Sequence, residues 1–66
     1  MANNITLSQK DLGAISDLLT YEQLAATKCK MYGKSLTDPE LQSICKTLAE
    51  NHTKNFNELY NFLNAF

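Results

Sequence analysis

Glu22 and His52 are the two ionisable residues that interrupt the apolar stripes of this chain. Each stands where a helical stripe calls for a large apolar side chain. A carboxylate and an imidazole on facing helices have two uses. They can form a hydrogen-bonded polar pair that sets how the helices align, which is the expectation here. Alternatively they can ligate a metal, as glutamates and Glu-x-x-His turns do in bundle di-metal proteins. The residue three before His52 is Ala49 rather than an acid, and Glu50, two before it, points to another face. One chain therefore offers two ligands, and a zinc ion would need the Glu22 and His52 of two chains gathered by a two-fold dimer. No cofactor and no resident metal are expected, with Glu22 and His52 as the alternative ligands.

Cys29 and Cys45 carry the remaining reactive atoms, and they form no CxxC pair. Two cysteines are too few for a disulfide scaffold. A bridge between helices needs Cα atoms within about 7 Å, closer than most helix pairs approach. The expectation is two small, buried, reduced thiols that face each other across the fold. His52 lies two helical turns beyond Cys45, roughly 10 Å by helix rise, too far to take a thiol proton. The chain is therefore expected not to be an enzyme.

The elements that position these residues are legible in a repeated signature. Leu7-Ser8-Gln9-Lys10-Asp11-Leu12 and Leu36-Thr37-Asp38-Pro39-Glu40-Leu41 share the pattern Leu-[Ser/Thr]-x-x-[Asp/Glu]-Leu. Each reads as a helix start, with a hydroxyl capping a free N–H and an acid reaching back. Pro39 suits a first turn, so either Thr37 or Asp38 caps the second helix. Gly13, Gly33 and Pro39 are the only glycines and proline, and valine is absent, a composition that disfavours strands. The fold class predicted is all-α, one domain over 1–66. Helix one runs over about 8–32 and stops at Gly33 as a left-handed cap; helix two runs over about 38–64; residues 1–6 are poorly ordered. Gly13 is the weak point of helix one.

Helix one carries the stripe Leu12, Ile15, Leu19, Glu22, Ala26, Cys29 and Gly33, widened by Leu18, Ala25 and Tyr32. Helix two carries Leu41, Cys45, Leu48, His52, Asn55, Leu59 and Phe62, widened by Ile44, Phe56, Leu63 and Phe66. A short connection forces antiparallel neighbours. Folding the chain at residue 37 then pairs Ile15 with Leu59, Leu19 with Asn55, Glu22 with His52, Ala26 with Leu48, Cys29 with Cys45 and Gly33 with Leu41. The stripes are wider than one partner helix covers, so the hairpin is expected to associate, as a homodimer forming a four-helix bundle.

Composition narrows the partners. The 66 residues carry a net charge of −1, with no block of lysine or arginine to follow a phosphate backbone, so nucleic acid is not expected. Lys28, Lys30, Lys34 and Lys46 gather toward the loop end and read as a solvated face, with steering of an acidic partner as the lesser reading. Met1-Ala2-Asn3-Asn4 lacks the basic-then-apolar pattern of a signal peptide, and no apolar run is long enough to cross a bilayer. A cytoplasmic chain without membrane partners is expected.

Leu7–Leu12, Asp17-Leu18-Leu19-Thr20-Tyr21-Glu22, Asp38-Pro39-Glu40-Leu41 and Glu50-Asn51-His52-Thr53-Lys54-Asn55-Phe56 together resemble the short coat-F-like spore coat proteins of endospore-forming bacteria. The resemblance implies a ferritin-like helical bundle, a place in the spore coat among other coat proteins, and positions for Glu22 and His52 related to ferritin-like metal ligands. The chain departs from that pattern at Ala49 and lacks a Gly-Trp-Tyr tail. The function expected is that of a small structural or interaction protein acting through self-association. The alternative is a degenerate ferritin-like metal binder.

Overall fold

The computed structural model describes residues 7–65. Among them there are two helices and no strand: α1 over Gln9–Ser35 and α2 over Pro39–Asn64, packed side by side as a hairpin. The expectations for residues 1–6 and for Phe66 lie outside the described residues.

Both helix starts have a local cause. The Ser8 hydroxyl accepts the Asp11 N–H at 3.0 Å, and Asp11 supplies a negative charge in the first turn of α1. At α2 the cap is Asp38 rather than Thr37. One carboxylate oxygen takes the Glu40 N–H at 2.8 Å and the Leu41 N–H at 3.1 Å, while Pro39 fills the first helical position.

The end of α1 differs from expectation. Gly33 is not a left-handed cap; no described glycine has a positive φ, and the helix continues through Ser35. The reversal is made by Leu36, Thr37 and Asp38. Leu36 and Asp38 are extended, with ψ of 145° and 120°. Extended backbone at Asp38 is what the proline ring after it requires. The Leu36 N–H closes the last turn on the Tyr32 carbonyl at 2.9 Å, and Gln42 Nε2 donates to the Leu36 carbonyl at 2.6 Å. With these groups satisfied, the turn has no need of a glycine.

Gly33 instead sits at the helix contact. A β-carbon there would stand 3.5 Å from Cys45 Cβ and 4.0 Å from the Gln42 carbonyl oxygen, and Leu41, its expected neighbour, comes no closer than that. Gly13 faces open space. Gly13→Ala removes backbone freedom from the unfolded chain without meeting any atom, so it is expected to stabilise the protein by about 0.5–1 kcal/mol. Thermal unfolding followed by circular dichroism checks this; an unchanged or lowered midpoint would contradict it.

The molecule is a slab one helix thick. Its extents are 50 × 21 × 11 Å, and its radius of gyration is 15.2 Å against about 11 Å for a compact chain of this length. The most deeply buried residues are small: Ala49 at 4% and Ala26 at 7% exposure are the only buried hydrophobic residues among those described, while Ile15, Leu19, Phe56, Leu59 and Leu63 are half-buried. Leu48 is the expected neighbour of Ala26 on α2, but the deeply buried residue there is Ala49. Leu48 stands at the edge of the seam, 42% exposed, while Cys45, His52 and Leu59 of the expected stripe stay half-buried in it. Alanine at the closest approach lets the helix axes come together, whereas a leucine would hold them apart.

Candidate functional site

The seam orders the rest of the molecule into two faces. Successive helical residues turn by about 100°. With Ala26 and Ala49 pointing inward, Leu18, Tyr21, Ala25 and Tyr32 of α1 fall on the same side of the slab as Leu41, Ile44 and Leu48 of α2. All of these but Ala25 are exposed. The opposite side carries Gln23, Thr27 and Lys30 of α1 and Lys46, Glu50 and Thr53 of α2. The slab thus has an apolar face and a polar face. In one copy neither is covered.

Glu22 and His52 meet at the seam. His52 Nδ1 lies 2.5 Å from Glu22 Oε1, a short hydrogen bond, with side-chain exposures of 22% for the histidine and 12% for the glutamate. An ionised carboxylate only accepts, so the bond to Glu22 is one that Nδ1–H donates. The second carboxylate oxygen, Oε2, accepts from Asn55 Nδ2 at 3.4 Å, one helical turn further along α2. Tyr21 meets the imidazole edge to face, with ring centroids 6.0 Å apart and planes at 86°. The glutamate is therefore held by two donors from α2, and the imidazole by a bond on one side and an aromatic ring on another. The Asn55 contribution was absent from the sequence reading, which set Asn55 opposite Leu19. Its signal was the i, i+3 spacing from His52, which places both on the same face of α2.

Chemically, this arrangement orients an imidazole. The ring nitrogen opposite a carboxylate-bound Nδ1 is the one that would ligate a metal or accept a proton. Among the described residues, however, no group of three or more His, Cys, Asp and Glu side chains surrounds a point.

Cys29 and Cys45 are free thiols, each half-buried. Cys45 packs against Gly33, while Cys29 opens onto the polar side of the slab near Lys46 and Ala49. Phe56 and Tyr60, one turn apart on α2, stack at 6.2 Å with their planes 9° apart.

The lysines are regrouped by the fold. Lys30, Lys34 and Lys46 line one groove on the polar face, but Lys28 is not among its walls and Lys54 is. Lys28 lies two residues from Lys30, which puts it on another side of α1.

No family model, curated protein or solved structure matches this chain. Among the described residues no helix is long and apolar enough to cross a membrane.

Proposed function

We propose that this chain is a small, non-enzymatic structural and interaction protein whose working form is a homodimer, two hairpins packed apolar face to apolar face as a ferritin-like four-helix bundle. One observation carries the reading. Eleven large apolar side chains of the described chain are exposed, while its buried hydrophobic core is two alanines. Hydrophobic burial on that scale does not hold a 66-residue chain together. The slab is 50 by 21 Å, so each face offers about 1,000 Å², above the ~800 Å² per partner of a standard interface. Leu18 and Leu48 stand near the middle of the apolar face and supply its anchors.

Light scattering on the purified protein tests the assembly. The expected mass is that of two chains. A folded, helical monomer at micromolar concentration would overturn the proposal, and a tetramer would retain the principle with a different count. The resemblance to coat-F-like proteins makes the spore coat the first place to look. Tagged chain should fractionate with the coat layers of mature spores, and exclusion from them would remove the coat role while leaving self-association standing.

The alternative reading is a metal site between two copies. It draws on the Glu22–His52 bond, which holds Nδ1 against a carboxylate as metal-bound histidines are held. In that case Glu22 orients and the far nitrogen of His52 ligates, so the second copy must supply the other donors. Elemental analysis finding about one zinc or iron per dimer, lost on replacing His52, would select this reading over the first.

A further inference from the structure

We infer that the polar face carries a docking groove for an acidic amphipathic helix of another protein. Between the helices on that face runs an open groove of about 960 Å³. Lys30, Lys34, Lys46 and Lys54 rise along its walls, and Glu50 is its one acid. The whole chain has six basic and seven acidic residues. The groove holds four of the six and one of the seven, so it carries a net +3 while the rest of the chain carries −4. An acidic protein has thus gathered most of its cations around one cleft.

The shape selects the occupant. Along α2 the groove extends from Gln42 to Asn57, about 22 Å of helix rise, or four turns of a docked helix. Its floor is Cys29, Gly33 and Ala49, side chains too short to fill it, and aliphatic side chains of a third helix would lie over them. Glutamates flanking that stripe would meet the lysines on both walls. An extended peptide fits less well, since the described residues include no strand edge to take up its backbone N–H and C=O groups, whereas a helix satisfies its own. A nucleic acid would find no arginine and no stacking ring among the lining residues, and it would meet Glu50 near the middle. Because the groove lies opposite the apolar face, a homodimer would present two of them, outward. The inference does not depend on that assembly, which is read separately as mass in solution.

The probe is a labelled fifteen-residue helical peptide with a leucine–alanine stripe flanked by four glutamates, followed by fluorescence anisotropy. It is expected to bind the intact protein, and more weakly as salt is raised. The double variant Lys30→Glu/Lys46→Glu should bind it at least roughly tenfold more weakly. The same variant should bind a peptide with lysines in place of those glutamates, which the original protein rejects. That exchange of preference separates a docking groove from a variant that has merely unfolded. Equal binding of both peptides, or no binding of either, overturns the inference. Tighter binding of a duplex DNA of similar length would replace it with a nucleic-acid site. A change in assembly mass in the variant, with peptide binding unaltered, would make the groove a contact between copies instead.

Discussion

Leu48→Glu is expected to abolish both the assembly and most of the helix. Leu48 stands at the edge of the seam on the apolar face, 42% exposed in the single hairpin and covered in the proposed dimer. A carboxylate there would be carried into an apolar interface, at a cost of several kcal/mol. The hairpin left behind has two buried alanines for a core, too little to offset the entropy of ordering its residues. Monomer mass and lost helicity should therefore appear together, by light scattering and circular dichroism on the same sample. The folding midpoint of the unaltered protein should also rise with concentration, as it does when association stabilises the fold. Gln23→Glu is the control: it adds a similar charge on the polar face and should alter neither reading. A Leu48→Glu protein that stays helical as a monomer would show that one hairpin is self-sufficient.

His52→Leu is expected to destabilise the fold by about 2 kcal/mol, and adding Glu22→Leu should recover much of that loss. Removal of the imidazole leaves a carboxylate that is 12% exposed with one 3.4 Å contact from Asn55. Breaking a fully buried pair costs about 3–5 kcal/mol. The value here is set lower because the pair keeps some access to water and Asn55 remains. In the double variant two leucines replace two polar groups, and the desolvated charge is gone. Denaturant unfolding of the two single variants and the double closes a cycle. A double variant as unstable as the sum of the singles would mean that the two residues do not support each other. Concentration must be held constant across the series, because a dimer's stability depends on it.

The helices and their starts were legible because their causes are local. Ser8 and Asp38 cap through side chains a few residues from the groups they bond, and the proline after Asp38 acts on its immediate neighbour. Facing of Glu22 and His52 was legible too, since a short turn between two long helices leaves few registers. The end of α1 was misread for an instructive reason. A glycine three residues before an extended loop looks like a cap, but whether it caps depends on what meets it across the seam. Gly33 meets Cys45, a contact that no span of sequence near Gly33 encodes.

By itself the sequence determined an all-helical chain, where each helix begins, and that its apolar stripes exceed what one hairpin covers. Each of these rests on periodicity or on bonds spanning three or four residues, which a single helix contains. Only the tertiary structure decided that Ala49 and not Leu48 enters the seam, because the rotation of α2 about its own axis depends on the shape it packs against. That rotation leaves Leu48 at the edge of the seam on the apolar face. It also brings Lys46 and Lys54 across from Lys30 and Lys34, so that scattered lysines of a weakly acidic chain become the walls of one cationic groove.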